Sequence, residues 1–492
     1  MEPPPRFQPI NRQQLLLRTV DIDRLIDSDH PARNIWDLLG QLDLSPFQGD
    51  IRSVEGHPGR APWPPRLLIA TWIYAYSRGL HSAREIERQC EYEPGLGWLT
   101  GLQTVNHHTL SDFRTTHGEA LRELFVQVLG ILKRQRLITL ERVAQDGTKI
   151  RADASKKSFA KAGTIAESLA EARRHVAELE AAEEAQAQGR EGAARRRRAK
   201  EREQRLATAL REVERMQRER RWEKHKQCQA SRTDPEARIM RDSNGGVAPA
   251  YNVQLVTDAA QGLIVGVDVT SRPTDEEELL PAMDRLVADV GALPEQVVVD
   301  RGYTTSATVA HMADRGIDLI GSWPDQSAQP PARGIDPAYM PAAFKHDPER
   351  DELICPAGKR LIHLRTKEEE WLQIRIYAAS RSDCRDCSHR PRCTPQNKMP
   401  KRGRTVSIRI PDARVQAFKE KMQTEAARAI YRLRGRLAEF PNAWLKTKLG
   451  FTRFHSRGRK KATAEAIWAA LTFNLQRLFK LLPDWRQKLA TA

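Results

Sequence analysis

No apolar run in this sequence approaches the roughly 18 residues needed to cross a bilayer, so no membrane-spanning helix is expected. The opening MEPPPRFQPINRQQ has no apolar core of the kind a secretion signal carries, so a cytoplasmic protein is expected. Cysteine is scarce, with six in 492 residues. In a reducing compartment such residues are thiols or metal ligands rather than a disulfide framework. Acidic residues are in deficit too: 64 Asp and Glu face 81 Lys and Arg, a net charge of +17. That deficit points to a polyanion, and nucleic acid is the commonest one. A hydrophobic share of 40% with ten Trp excludes a wholly disordered chain. The length implies more than one domain.

The positive charge is concentrated. Arg195 to Lys226 carries 14 basic and 6 acidic residues, and Lys401 to Lys461 carries 18 and 4. These windows hold +8 and +14, so the rest of the chain is near −5. A surface that neutralises phosphates releases counterions, so binding through either window should weaken steeply with salt. The first window reads equally well as a solvated helix face. In the second, the scarcity of acids favours phosphate contact.

Residues 1–18 read as a flexible, Pro-rich lead, and 19–135 as a helical, DNA-binding domain. Within it, Ser82-Ala83-Arg84-Glu85 reads as a capping box. A short helix from His108-Thr109 would turn Thr109, Ser111 and Arg114 toward a groove if it belongs to a helix-turn-helix; a small packing bundle fits equally. Strand pattern begins with Leu140 to Ile150 and is interrupted over 155–230. There Ile165, Leu169, Ala172, Val176 and Leu179, resumed by Leu206, Leu210 and Val213, follow a coiled-coil-like seam and predict an antiparallel helical hairpin. It could serve as a dimerisation arm, a DNA clamp or a plain insertion. Strands return at Ala250 to Asp258 and Leu263 to Thr270, joined as a hairpin, then at Val297 to Asp300 and Ile317 to Gly321, with helices between. This order predicts a three-layer α/β domain with a mixed sheet, in parts 136–154 and 231–321. A Cys-rich insertion spans 322–410, and helices over 411–492 complete the core.

Asp300 follows an apolar run, and Asp146 precedes Gly147 on the first strand. Ligands of open α/β sheets bind beyond the carboxyl ends of strands. Carboxylates placed there can hold Mg²⁺, and a pair of such ions supports phosphodiester chemistry. An Asp before Gly is also a common turn or cap residue.

The chain resembles the DDE transposases of bacterial insertion sequences, specifically the insertion-sequence-1182 group, related to the insertion-sequence-5 superfamily. The resemblance spans nearly the whole chain. It rests on DHPARNIWDLL, GLHSAREIE, GWLTG and HTLSDFR, then AQDGTKIRADASKKSF, PAYNVQLVTDAAQGLIVGVDVTSRPTDEEELLP and VVVDRGY, and finally YRLRGRLAEFPNAWLKTKLGFTRFHSRG and ALTFNLQRL. It implies a ribonuclease H-like catalytic core in which Asp146, Asp300 and Glu439 hold catalytic Mg²⁺ or Mn²⁺. Tyr431, Arg434 and Lys446 match the remaining positions of the family's Tyr-Arg-Glu-Lys signature. Glu425 and Glu420 are rivals for the third acid. Glu439 and Lys446 share a face if their helix is continuous, and Pro441 bears on that continuity. Asn442-Ala443 stand where many relatives carry Phe-Gly.

Four cysteines, Cys355, Cys384, Cys387 and Cys393, fall in the insertion and predict a structural Zn²⁺ site. His363 or His389 could replace one ligand, and four reduced thiols are the alternative. Cys90 and Cys228 stand alone. The resemblance implies a nucleoid-associated enzyme, expected to act as a homodimer on double-stranded DNA. It would bind terminal inverted repeats, cut a 3′ end and transfer it to target DNA. Arg114, Arg434, Lys446, Arg453, Arg457 and Lys460 are the candidate DNA contacts, with Tyr431. The alternatives are a catalytically inactive DNA-binding relative and a nuclease that cuts without joining.

Overall fold

A computed structural model describes residues 13, 15, 19–49, 61–185, 190–219, 228–241, 245–323, 335–394 and 402–490. The expected flexible lead therefore lies almost wholly outside the described residues. The chain forms two compact units, Met1–Ala120 and Leu121–Ala492.

The first unit is helical: α1 (Pro31–Leu39), α2 (Pro65–Ser77), α3 (Ala83–Gln89), α4 (Pro94–Thr100) and α5 (His107–Thr116). Prolines open α1, α2 and α4, where a missing N–H costs nothing. Helix α2 is buried from Leu67 through Tyr76, making it the core of this unit. Trp72 Nε1 donates to the Leu110 carbonyl at 3.1 Å, locking α5 to it. Two local expectations fail here. The Ser82 side chain caps nothing, and Glu85 instead pairs with Arg88 at 2.7 Å and accepts from Gln89. Arg114 is 4% exposed, donates to the His81 carbonyl at 2.7 Å and stacks over Trp72. It braces the bundle from within and is not turned toward a groove.

The second unit begins inside α6 (Gly118–Arg134), earlier than the expected boundary at 135. The reason is visible at Arg122, which donates to Asp289 at 2.6 Å and to the Val267 carbonyl at 3.1 Å. The central sheet has six strands. They are β1 (Arg142–Arg151), β4 (Arg238–Arg241), β5 (Val247–Asp258), β6 (Leu263–Thr270), β7 (Gln296–Val299) and β8 (Asp318–Gly321), while β2 (Phe159–Ala160) and β3 (Ala230–Ser231) form a separate small pair. β5 runs antiparallel to β1, β4 and β6, whereas β7 is parallel to both β1 and β8. The sheet is therefore mixed, as the order of elements predicts.

Helices α7 (Ala162–Ala185) and α8 (Arg190–Glu219) pack along the expected seam. Ile165 meets Ala209 and Val213, Leu169 and Ala172 meet Leu206, and Val176 and Leu179 meet Ala199. The basic face of α8 is in part internally balanced. Arg173 of α7 pairs with Glu203, while Lys200 and Arg202 of α8 pair with Glu180 and Glu171 of α7.

Helices α9 (Leu279–Val290) and α10 (Ser306–Asp314) connect β6, β7 and β8. The segment after β8 holds a second sheet that the sequence pattern did not announce: β9 (Lys345–Asp347), β10 (Glu352–Ile354), β11 (Arg360–Glu369), β12 (Leu372–Ala379) and β13 (Thr405–Pro411). Short helices α11 (Arg381–Arg385) and α12 (Arg390–Cys393) lie between the last two strands. Its small core is Phe344, Leu353, Leu361, Tyr377, Ala379 and Val406.

The chain closes with α13 (Ala413–Lys421), α14 (Glu425–Arg432), a π-helical turn (Gly435–Glu439), α15 (Phe440–Thr447), α16 (Arg459–Leu481) and α17 (Trp485–Ala490). Ala427 and Ala438 pack on Ala144, Val298 and Ile320, so α14 and the π turn cover β1, β7 and β8. Buried Asn474 of α16 accepts from the Ile264 amide at 2.9 Å and donates to its carbonyl at 2.7 Å, occupying the open edge of β6. No helix among the described residues is long and apolar enough to cross a membrane.

Candidate active site

Strand side chains alternate between faces. Ala144 packs under α14 and the π turn, so Asp146, two residues on, points to the same side. Gln145 of β1 is registered with Val299 of β7, which sets Asp146 beside Asp300 at adjacent strand positions. Asp300 does cap a turn, its Oδ1 accepting from the Arg301 amide at 2.7 Å. The cap does not exhaust it. Its other oxygen, Oδ2, lies 3.9 Å from Arg434, and Tyr431 donates to Oδ1 at 3.5 Å. The turn residue thus also faces two of the other candidate residues, Arg434 and Tyr431.

Glu439 reaches the same place from the C-terminal helices. Its Oε1 lies 3.8 Å from Arg434, so one guanidinium sits between Asp300 and Glu439. Arg434 and Glu439 are five residues apart, and on an α-helix of about 3.6 residues per turn they would diverge. The π turn, whose bonds span five residues, aligns them instead. Pro441 is absorbed in the first turn of α15, and the backbone stays helical from Gly435 through Thr447. Lys446 follows Glu439 by two turns of that helix. The rivals lie elsewhere: Glu425 pairs with Arg432, and Glu420 accepts from Gln416 at 2.7 Å.

Asp146 is the least hydrated of the three acids. Burial pushes its carboxyl up to about 6, and the neighbouring Asp275 and Asp300 charges add to that; the Gly147 amide and Arg434 work against it. Its Oδ1 accepts from Gly147 at 3.0 Å and its Oδ2 from Asn442 Nδ2 at 2.9 Å. Asn442 is a site residue that charge and motif reading passed over. Its only signal was its departure from the Phe-Gly wording. Tyr431 is pushed up by burial and then by Asp300.

Among the described residues no three His, Cys, Asp or Glu side chains are arranged to hold a metal ion. At the acids, the positive charge between Asp300 and Glu439 is that of Arg434. Carboxylate oxygens are nonetheless the donors that Mg²⁺ prefers, and a guanidinium held between two of them marks a place where a cation is stabilised. The donor chemistry fits a divalent ion.

The basic stretch after α15 is stitched to the end of β1. Phe454 donates to the Arg151 carbonyl at 2.8 Å, and Arg453 and Arg457 both reach Asp153, each at 2.9 Å. Lys460 is exposed in the first turn of α16.

Cys355, Cys384, Cys387 and Cys393 line one cavity with His389, while His363 faces Asp351 at 3.7 Å. The Cys355 and Cys384 sulfurs accept backbone amides from Lys359 and Arg404, each at 3.3 Å. Burial pushes the Cys393 thiol up. The thiols line one cavity, but among the described residues they do not form a ligand set, so the expected zinc has no support. Cys90 and Cys228 are buried and free.

Two family models match the chain. One, described as a transposase DDE domain, covers residues 354–479, and one described as a transposase domain of the DUF772 type covers residues 20–116. The first includes Glu439 and its helix but begins after Asp146 and Asp300. No curated protein and no solved structure matches the chain.

Proposed function

We propose, for a chain that belongs to the DDE-type insertion-sequence transposases, that Asp146, Asp300 and Glu439 are the acids of a centre that cuts and joins DNA. The observation that carries this reading is the Arg434 bridge between Asp300 and Glu439, beside a half-buried Asp146 that feels the charge of both Arg434 and Asp300. Residues 146, 300 and 439 would otherwise have no reason to share one surface. The ribonuclease H-like core implied by the DDE domain agrees with a sheet in which antiparallel β6, β5 and β1 lead into parallel β7 and β8. The motif wording supports the insertion-sequence-1182 group.

When bound, divalent ions such as Mg²⁺ stabilise the attacking and leaving oxygens of an in-line displacement at phosphorus. In the first step water attacks and the 3′ oxygen leaves. In the second, that 3′-OH attacks a target phosphodiester and a target 3′ oxygen leaves. Asp146 and Asp300, held by backbone amides and Asn442, provide fixed oxygens on the sheet, and Glu439 closes the set from the helix. Arg434 is placed to move from the carboxylates to a phosphate, where its planar fork fits. Lys446, Arg453, Arg457 and Lys460 would hold flanking phosphates as point charges or forks. The helical first unit would read the terminal repeats, and a homodimer in the nucleoid would pair two element ends.

The test is cleavage of a duplex carrying the element's terminal repeat, with Mg²⁺ or Mn²⁺, by wild type and Asp300→Asn. Wild-type cutting that the variant lacks is expected. A wild type no better than the variant would leave a binding protein, and cut ends that never appear in target DNA would leave a nuclease.

A further inference from the structure

On the face of the sheet opposite Asp146 lies a layer of polar side chains in a place where apolar ones are usual. Gln145, Asn252, Gln254 and Tyr303 are all at most 2% exposed. The pairs Gly147 with Gln254 and Lys149 with Asn252 put these positions on one face of β1 and β5. Buried polar groups are costly unless paired; here the pairing runs through one amide, and among the described residues Gln145 Oε1 and Asn252 Oδ1 are left without a hydrogen-bond partner. Gln254 Oε1 accepts from Tyr303 at 2.6 Å and from Gln145 at 3.0 Å, and its Nε2 donates to Asp275 Oδ1 at 2.7 Å. Asn252 donates to the same Asp275 oxygen at 2.6 Å, and Lys149 lies 3.6 Å from it.

The residues joined in this way flank the two strand acids. Gln145 precedes Asp146, and Tyr303 ends the turn that Asp300 caps. The Asp275 carboxylate is pressed against the backbone just after Asp146. A Cβ at Gly147 would lie 2.5 Å from Asp275 Oδ1 and 2.6 Å from Gln254 Nε2, so no side chain fits there. A Cβ at Gly302 would lie 3.8 Å from the Asp275 Cβ, so Asp275 stands next to the Asp300 turn, and it is tied to that turn through Gln254 and the Tyr303 hydroxyl.

We propose that Asp275, acting through Gln254, is a positioning residue that sets the spacing of Asp146 and Asp300 for divalent-cation binding. It does not touch the reacting atoms. It holds the backbone segments that carry the two carboxylates, from behind the sheet. This inference rests on the reading that Asp146 and Asp300 bind such ions. Outer-layer partners of metal ligands are worth about 10- to 100-fold in affinity.

The experiment is a titration of full-length protein with Mn²⁺ alone, following free Mn²⁺ by electron paramagnetic resonance, well below the melting temperature. Wild type, Asp300→Asn, Asp275→Asn and Tyr303→Phe are compared. Asp275→Asn keeps the shape and an acceptor oxygen, while Tyr303→Phe removes one hydroxyl. The expected result is that Asp300→Asn loses the binding, Asp275→Asn weakens it about tenfold or more and Tyr303→Phe weakens it less. If Asp275→Asn and Tyr303→Phe bind like wild type while Asp300→Asn does not, the positioning role is wrong and the acids stand. If wild type binds no better than Asp300→Asn, the acid reading fails and the positioning role with it.

Discussion

Two sets of metal-type donors converge in this protein, and they are built in opposite ways. The acids arrive from β1, from the end of β7 and from a π turn, at positions 146, 300 and 439. The thiols arrive from one local sheet and its short helices, between 355 and 393. Nearness in sequence would favour the thiols, yet the acids are the better-supported set. Asp146 and Asp300 each meet a side chain from another element, Asn442 and Arg434, and Arg434 also reaches Glu439 at the far end of its own π turn. Among the described residues, the hydrogen bonds seen at the Cys355 and Cys384 sulfurs come from backbone amides of their own sheet. What separates the two sets is the kind of partner: the acids face side chains, Asn442 and Arg434, while the two sulfurs face backbone amides.

The comparison breaks hardest at Asp300. Asp300→Asn should lower divalent-ion-dependent cleavage by at least about a thousandfold, whereas Cys384→Ser should leave it within about twofold. An equal loss in both variants, measured on one terminal-repeat duplex, would erase the distinction.

A stability effect of opposite sign is expected at Asp146. Its folded carboxyl titrates near 6, above the usual 3.8, so the metal-free fold is penalised once the group ionises. The penalty is absent below about pH 4, grows through the interval and is complete above about pH 6, reaching about 3 kcal/mol. Asp146→Asn should therefore stabilise the metal-free protein at pH 7 to 8, with the gain vanishing toward pH 4. The gain is reduced by the loss of one acceptor oxygen, because Asn442 Nδ2 donates both to Asp146 at 2.9 Å and to the Ala438 carbonyl at 3.2 Å and cannot flip without giving up the second bond. Urea melts across pH with a chelator present check this, and a pH-independent difference would refute it.

Arg434→Gln should cost cleavage about a hundredfold, and Arg434→Lys should not restore it, since a point charge cannot span two carboxylates or fork a phosphate. Steady-state cleavage of all three proteins decides the point. At the thiol cavity the corresponding lesion is purely steric. A Cβ at Gly403 would lie 2.5 Å from the Ser380 carbonyl and 2.7 Å from Cys384 Sγ. Gly403→Ala should destabilise by about 1–3 kcal/mol in thermal melts while Mn²⁺ binding is unchanged.

The two basic windows show how far charge can be read along a chain. On α8 the excess was legible, but its neutralisation by Glu171 and Glu180 of α7 needed the antiparallel pairing. Strands β5 and β6 were legible because alternation and a turn signal coincide. Strand β11 was not, since its outer half is exposed on both faces and carries no alternation to detect. Arg114 misled for a related reason: which face of a ten-residue helix turns inward is not fixed until its neighbours are known. Glu439 was singled out as the candidate third acid by motif wording, but its alignment with Arg434 was not legible.

What the amino-acid order settled alone is short-range: the hairpin seam, the β5–β6 pair, the charge excess and the identity of three candidate acids. The seam and the strand pair follow from periodicities of three to four and of two residues, the charge excess is plain composition, and the three candidate acids come from the resemblance in motif wording. Which carboxylates meet, which arginine turns inward and whether four thiols make a ligand set were decided by the tertiary structure. Those outcomes depend on strand register and on one widened helical turn. Both are fixed by packing between segments hundreds of residues apart, which no local pattern encodes.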